Sequence, residues 1–202
     1  MGSWVRDLRG LPNWGGRFPR AQIELASMSE WVKPAVLFSE AAIQERIREI
    51  GRQVTADFDG REIAIVGILK GTVVFMADLI RAIELPLTCD FLKVETTKDQ
   101  RIDIAFGPET DFHERDVLLL QDVVDTGVTM NFIAGHIQED WKPRSLRIAA
   151  LIDREEQRKV DCAVDYACFK VNQDGFVVGY GLDSEEKYRG VPYLGILDKR
   201  KT

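Results

Sequence analysis

Two aspartates and two threonines follow a run of apolar residues in the segment VLLLQDVVDTGVTM. Asp122 and Asp125 come where a buried strand is predicted to end, and Thr126, Gly127 and Thr129 open the helix predicted to follow. Backbone N–H groups, hydroxyls and the positive end of a helix would then converge on one small volume. A volume of that kind suits a phosphate group, and the glycine lets the backbone approach it closely.

The two carboxylates of this segment need a different partner from the phosphate, because like charges repel. Sugar hydroxyls, a metal ion or a proton in transit would each suit them, so a phosphorylated sugar accounts for the whole group. A second interpretation is that acidic residues before Thr-Gly only cap a helix that follows a strand. The short motif by itself fits both interpretations equally well.

Apolar runs alternate with helical patterns along most of the chain. Five segments carry this pattern: the strands IAIVGIL, LTCDFLKV, VLLLQ and SLRIAALI, and a helix after a Ser39 cap, EAAIQERIREIGRQVTADF. Helices are also predicted for TVVFMADLIRAI and for about Val128 to Glu139. Strands that are apolar on both faces and alternate with helices predict an α/β fold with a mainly parallel sheet covered on both sides. Ligands in such folds bind at the carboxyl ends of the strands.

The polar stretch VETTKDQRIDIAFGPETDFHERD lies between two of the predicted strands. It is too long and too polar for a tight turn, so we expect a mobile lid or an antiparallel excursion of the chain.

Length and composition restrict the domain organisation and the partners. The 202 residues fit one domain, which we predict at 34–202, preceded by an N-terminal extension at 1–33 that is rich in Trp, Gly, Pro and Arg. No apolar run approaches the roughly 20 residues that span a bilayer, so we expect no membrane partner and a cytoplasmic location. The net charge of −6 disfavours a nucleic-acid partner, because such binding depends on Lys and Arg neutralising phosphates.

The segment VLLLQDVVDTGVTM resembles the phosphoribosyl pyrophosphate (PRPP) signature of the type I phosphoribosyltransferases. Two further segments, GILKGTVVFMADL and DGFVVGYGLDSEEKYRGVPYLGIL, narrow the resemblance to the hypoxanthine-guanine phosphoribosyltransferases. The family's fold is a mainly parallel central sheet flanked by helices, with a small hood formed by C-terminal and N-terminal segments. The resemblance implies transfer of the 5-phosphoribosyl group from PRPP to hypoxanthine or guanine in purine salvage. It also implies Mg²⁺ as cofactor and a homodimer or homotetramer.

The resemblance assigns residues to PRPP. Asp125 corresponds to the general acid/base that faces N7 of the purine, and Gln121 and Asp122 correspond to the residues beside the ribose. Lys70 and Gly71 match the loop that binds pyrophosphate, where the family often has a cis peptide. Further residues that the resemblance implies are the 5′-phosphate loop Asp125, Thr126, Gly127, Val128 and Thr129, the pyrophosphate ligand Arg189 and the magnesium ligand Asp183.

The purine site implied by the resemblance consists of Arg154, Phe176 and Val177. The phenyl ring would stack on the base, and the backbone of Val177 would read the base edge. Taken singly, these residues have simpler interpretations: Phe176 as strand core, Lys70 as a solvated turn and Arg189 as a surface charge paired with Glu185 or Glu186.

Three positions depart from the family pattern. Gln121 replaces a glutamate, and an amide binds magnesium poorly. Arg154 replaces a lysine that contacts the 6-oxo group, and its planar, bidentate guanidinium predicts a changed base preference. Thr96 and Thr97 stand where the family's mobile loop has a Ser-Tyr pair, which places turnover in question.

Three other functions are alternatives to a 6-oxopurine phosphoribosyltransferase. One is a phosphoribosyltransferase with another acceptor base, which Arg154 and the missing tyrosine favour. Another is a PRPP-sensing regulator that binds nucleic acid, which the acidic composition disfavours. A Rossmann dinucleotide binder is excluded, because GILKGT lacks the G-x-G-x-x-G spacing after the first strand.

Overall fold

A six-stranded sheet forms the centre of the fold. A computed structural model describes residues 33–96, 102–107 and 110–197. The strand order is β4-β3-β2-β5-β6-β7, and every neighbouring pair is parallel except β3 and β4. The strands are β2 Ile63–Leu69, β3 Leu87–Thr96, β4 Ile102–Phe106, β5 Asp116–Val124, β6 Ser145–Asp153 and β7 Tyr166–Lys170.

Three α-helices pack beside this sheet: α1 Glu40–Asp57, α2 Val73–Ala82 and α3 Val128–His136. Helix α1 begins at the Ser39 cap, whose hydroxyl accepts a hydrogen bond from the Ala42 N–H at 3.3 Å. Its apolar residues recur every three to four positions and face the core, with Ile43, Ile47 and Ile50 almost fully buried. The buried strand residues of β2 and β5 complete that core.

A second, three-stranded sheet has the order β1-β9-β8 and is antiparallel throughout. Its strands are β1 Ala35–Phe38, β8 Phe176–Val178 and β9 Leu194–Leu197. Because β1 comes from the start of the domain and the other two from its end, this sheet is the hood expected from N-terminal and C-terminal segments. The α/β architecture with a mainly parallel central sheet is likewise confirmed.

The strand that leads to the two aspartates is longer than predicted. Val123 and Val124 continue the parallel pairing of β5 with Ile152 and Asp153 of β6. Asp122 therefore lies inside the strand, and only Asp125 follows it, which corrects the expectation that both emerge at the strand end. The extra pairing is decided by β6, which the apolar run of β5 alone does not reveal.

Other boundaries agree closely with the sequence patterns. The strand predicted at Ile63–Leu69 has those bounds, and β3 and β6 extend one or two residues further than their apolar runs. Helix α3 ends at His136 rather than Glu139, and a π-helical turn, Ile137–Trp141, completes it. The polar stretch contains β4, so an antiparallel excursion is confirmed. The expected N-terminal extension lies outside the described residues up to residue 32.

Within the described ranges, no helix combines the length and the apolar character needed to cross a bilayer.

Candidate functional site

The turn between β5 and α3 forms a small cavity. Gly127 caps α3 with a φ of 82°, a left-handed conformation that favours glycine. The cavity measures about 120 Å³ and is lined by Gln121, residues 123–127, Thr129 and Met130. Of the predicted phosphate loop, all but Val128 line this cavity, and the N–H of Val128 is 3.4 Å from the Thr126 hydroxyl. A helix N-terminus with such a cavity can hold a phosphate.

Arg158 supports this turn from behind, and sequence reasoning did not identify it. Its Nη1 donates to the carbonyls of Val124 and Asp125, and its Nε donates to the carbonyl of Cys162 at 3.2 Å. Its Nη2 pairs with the carboxylate of Asp153, whose side chain is only 7% exposed. The next residue adds a backbone bond, from the Lys159 N–H to the Thr126 carbonyl at 2.9 Å. The guanidinium therefore fixes the backbone on which Asp125 stands.

Asp122 lies against the loop between β2 and α2. A Cβ built on Gly71 would stand 1.7 Å from Asp122 Oδ2, so only glycine allows the carboxylate and the loop to come this close. Burial raises the pKa of Asp122, partly offset by the N–H groups of Val123 and Asp122 itself and by Arg189, whereas Asp183 raises it further. The Leu69–Lys70 peptide bond in this loop is cis, as the resemblance implied.

Gln121 leaves a polar atom without a partner. Its Nε2 donates to Asp122 Oδ1 at 2.8 Å, which places the amide beside the carboxylate. Its Oε1 is buried and has no hydrogen-bond partner within the part of the chain that the structure describes. Because buried acceptors are normally satisfied, this oxygen can accept a hydrogen bond from a hydroxyl of a bound ligand.

Two cations from different loops meet on one carboxylate. Lys70 Nζ lies 3.0 Å from Glu186 Oε1, and Arg189 Nη2 lies 3.2 Å from Glu186 Oε2. These partners, Lys70 first, lower the pKa of Glu186, which is exposed to solvent. Arg189 also pairs with Asp183 at 2.7 Å. The simpler interpretation, in which Arg189 pairs with Glu185 or Glu186, thus holds for Glu186. Arg189 forms a second ion pair with Asp183.

The three residues predicted at the purine lie together next to the turn between β5 and α3. The backbone N–H of Arg154 donates to the Val124 carbonyl at 2.9 Å, and its Nη2 donates to the Gly175 carbonyl at 2.9 Å. Its Nε is buried and has no partner among the described residues. Phe176 is 52% exposed, so it is not an ordinary core residue of its strand, and Val177 beside it is buried.

A metal site made by protein alone is not present among the described residues, where no three His, Cys, Asp or Glu side chains are grouped to hold an ion. Asp183 offers a single carboxylate, 28% exposed and close enough to Asp122 to raise its pKa. Magnesium typically binds one or two carboxylates and completes its shell with substrate phosphates and water. The donor set therefore fits an ion that arrives with a phosphorylated substrate.

Short contacts connect these groups into one site. Gly71 contacts Asp122, and a Cβ on Gly181 would lie 2.6 Å from the Gly71 carbonyl oxygen. Arg189 Nη1 donates to the backbone carbonyl of Gly181 at 2.8 Å. The structure thus brings together the predicted residues of all three motifs. Thr97 lies outside the described residues, and of Thr96 only the backbone is described.

The profile of the phosphoribosyl transferase domain family matches residues 37–185. The hypoxanthine-guanine phosphoribosyltransferase of Streptococcus mutans is 39% identical over 167 residues, which cover 80% of this chain and 92% of that protein.

Solved structures agree with this match. The crystal structure of a hypoxanthine phosphoribosyltransferase from Staphylococcus aureus is 38% identical, with a TM-score of 0.79, and the match covers 87% of this chain and 98% of that one. The structure of a hypoxanthine-guanine phosphoribosyltransferase from Bacillus anthracis, with a HEPES molecule in its active site, is 34% identical with a TM-score of 0.80. That match covers 83% of this chain and 100% of the other.

Proposed function

The chain belongs to the phosphoribosyltransferase family, and on that premise we propose that it transfers the 5-phosphoribosyl group of PRPP to hypoxanthine or guanine. The products are IMP or GMP and pyrophosphate, as in purine salvage. The observation that carries the proposal is the close approach of three segments: Gly71 lies against Asp122 of β5 on one side and against Gly181 on the other. The same three motifs carry the cavity between β5 and α3, the cations Lys70 and Arg189, and the half-exposed Phe176.

PRPP would bind across these loops. The 5′-phosphate occupies the cavity between β5 and α3, where it accepts hydrogen bonds from N–H groups and from Thr126 and Thr129. The ribose hydroxyls face Asp122 and the unpartnered Oε1 of Gln121. The pyrophosphate lies against the loop of Lys70 and Gly71 and against Arg189, because these two cations carry the positive charge that its oxygens need.

The reaction breaks the bond between C1′ of the ribose and pyrophosphate through an oxocarbenium-like state. Charge then grows on the leaving oxygen, and Lys70 and Arg189 stabilise that charge. Asp125 stands at the exposed turn and accepts the proton from N7 of the purine as N9 forms its bond with C1′. Arg158 keeps this turn in place through the Asp125 carbonyl.

Magnesium is the cofactor that we propose for this site. Asp183 would hold it together with oxygens of PRPP, and it would neutralise part of the charge of the pyrophosphate.

The purine would stack on Phe176, which is 52% exposed. The unpartnered Nε of Arg154 gives the site a buried donor that needs an acceptor. A 6-oxo group supplies that acceptor, whereas the 6-amino group of adenine presents another donor. Leaving a buried donor unpaired costs about 1–3 kcal/mol, and more when the donor is charged, so 6-oxopurines should exceed adenine at least about tenfold in kcat/KM.

Incubation of the protein with PRPP, Mg²⁺ and each of hypoxanthine, guanine, xanthine and adenine tests the proposal. We expect nucleotide and stoichiometric pyrophosphate from hypoxanthine or guanine, and neither product when PRPP or Mg²⁺ is omitted. Equal rates with adenine and hypoxanthine would withdraw the purine assignment and leave the PRPP assignment standing. An electrophoretic shift with bulk RNA or DNA tests the regulator alternative, and we expect none.

Substitution of Arg154 by lysine separates base recognition from PRPP binding. Because lysine is the family's usual residue, Arg154→Lys should keep or improve the activity with hypoxanthine and guanine.

Phe176→Ala should weaken the binding of all bases alike, because stacking does not depend on the edge pattern of the base. A selective loss of one 6-oxopurine in Phe176→Ala would contradict this division of roles.

A homodimer or homotetramer in the cytoplasm is part of the proposal. Val128 and Phe132 stand one turn apart on α3 and are each 43% exposed, which gives this helix an apolar face that a second copy could cover. Light scattering on the full chain tests the oligomeric state.

A further inference from the structure

Glu186 forms salt bridges with Lys70 and Arg189, the two cations that would bind pyrophosphate in the proposed function. Its Oε1 lies 3.0 Å from Lys70 Nζ, while its Oε2 lies 3.2 Å from Nη2 and 3.4 Å from Nε of Arg189. Lys70 and Arg189 are 119 positions apart in the numbering and belong to different loops. One carboxylate therefore bridges both cations with its two oxygens, as a phosphate group would.

The loop that carries Glu186 is held in this position by contacts of its own. The Glu186 N–H donates to Asp183 Oδ2 at 2.9 Å, and Arg189 Nη1 donates to the Gly181 carbonyl at 2.8 Å. Glu185, Glu186 and Tyr188 have φ values of 53°, 59° and 74°, which residues other than glycine rarely adopt. Such a strained backbone persists where surrounding contacts hold it, and it is found at sites that change state.

We propose that Glu186 is an internal counter-anion of the pyrophosphate subsite. It pairs with Lys70 and Arg189, the pyrophosphate group of PRPP displaces it, and it returns as pyrophosphate leaves. This role rests on the proposed function, which it deepens by assigning a residue that sets the affinity for PRPP and for the pyrophosphate product.

The charges make this exchange feasible in both directions. Glu186 and Lys70 are 67% and 62% exposed. Ion pairs at such exposure are weak, so breaking this one requires little free energy. Pyrophosphate carries more negative charge than one carboxylate, so it binds Lys70 and Arg189 more strongly than Glu186 does. The returning carboxylate then replaces the negative charge that the departing product removes from beside Lys70 and Arg189.

Substitution of Glu186 by glutamine tests the role, with Mg²⁺-pyrophosphate as the probe in calorimetric titrations of the full chain. Without the competing carboxylate, Glu186→Gln should bind pyrophosphate about three- to tenfold more tightly, the ratio expected for the loss of two exposed ion pairs. In steady state, KM for PRPP and the inhibition constant of pyrophosphate should fall by a similar factor.

Glu185→Gln is the matched control, because it removes the same formal charge from the neighbouring position. Glu185 is 84% exposed and its ion pair is with Lys187 at 3.6 Å, away from Lys70 and Arg189. We expect its pyrophosphate affinity to stay within about twofold of the parent chain. In a Lys70→Gln background, the gain from Glu186→Gln should shrink, because one of the two contested cations is gone.

The inference is overturned if Glu186→Gln leaves pyrophosphate binding unchanged or weakens it, or if both glutamine variants tighten it equally. It is also overturned if neither the parent chain nor the variants bind pyrophosphate. Nucleotide formation is a separate readout. A chain that forms no nucleotide but shows the expected titrations refutes the proposed function alone, and the reverse result refutes the role of Glu186 alone.

Discussion

Asp125 presents an exposed carboxylate at a turn whose backbone is tied down by other residues. We predict that Asp125→Asn lowers kcat with hypoxanthine about 10²- to 10⁴-fold, the usual contribution of a general acid or base. PRPP affinity, measured by titration, should change much less, because the N–H groups and hydroxyls of the loop remain. An unaltered turnover would remove Asp125 from the chemistry.

The buried carboxylate of Asp122, which we propose faces the ribose, lowers the stability of the fold at neutral pH. Because its pKa is raised, mainly by burial, the folded chain binds this proton more tightly than the unfolded chain does. The resulting stability is fully present below the ordinary pKa of Asp, about 3.9, and is lost as pH rises through the raised value. At neutral pH the ionised group therefore costs free energy of folding.

We predict that Asp122→Asn keeps or raises the free energy of unfolding at pH 7, by up to about 1 kcal/mol, while weakening PRPP binding. The asparagine oxygen can still accept from Gln121 and Val123, so the local bonds survive. Denaturant titrations at pH 7 and near pH 4 check the sign: the variant's advantage should disappear at the lower pH. A variant that is less stable than the parent at pH 7 would contradict the proposed cost of the charge.

At the scale of elements, the turn between β5 and α3 depends on the segment that follows β6. Arg158 holds the carbonyls of Val124 and Asp125 and pairs with the buried Asp153. We predict that Arg158→Gln lowers the free energy of unfolding by about 3 kcal/mol, because it leaves a buried carboxylate without its cation. It should also weaken PRPP binding at least about tenfold, because the phosphate turn loses its support.

Arg147→Gln is the control for this change. Arg147 pairs with Asp165 at 2.7 Å and is 50% exposed, so its loss should cost less than about 1 kcal/mol. Thermal unfolding and PRPP titration of both variants distinguish the two arginines. Normal PRPP affinity in a folded Arg158→Gln protein would show that the turn keeps its shape without the guanidinium.

For the whole molecule, we propose that the domain begins at Pro34. Pro34 is buried, β1 follows at Ala35, and β1 pairs with β9 in the second sheet. The family profile starts at residue 37, and the aligned 167 residues already span 92% of the Streptococcus mutans relative. We predict that a chain starting at Lys33 keeps kcat/KM within about threefold and unfolds at nearly the same temperature.

A second truncation, starting at Ser39, is the contrast for this prediction. It removes β1, including Phe38, whose ring stacks on Phe169 with centroids 3.9 Å apart. Loss of this strand should reduce the free energy of unfolding by about 2 kcal/mol or more, since it removes the partly buried Leu37 and Phe38 together with the pairing to β9. Equal stability of the two truncated chains would place the domain boundary after β1.

Local sequence determined the parts of this protein that depend on neighbouring residues. The continuous apolar runs of β2, β5 and β6, the Ser39 cap and the apolar face of α1 each act over a few positions, so their patterns predict the central sheet and its first helix. The order of residues in the segment around Asp125 likewise predicted a strand followed by a helix, and the phosphate site between them stays a prediction. The short strands of the second sheet carry no such pattern, because their pairing joins the two ends of the domain.

Tertiary structure decided the contacts between residues that are far apart in the chain. The support of the Asp125 turn by Arg158 spans 33 positions, and the bridge from Lys70 to Glu186 spans 116. Pairing with β6 also decided where β5 ends and thus that Asp122 lies within a strand. The physical reason is that hydrogen bonds and charge pairs of this kind depend on three-dimensional distance, which only the packed sheet and its loops establish.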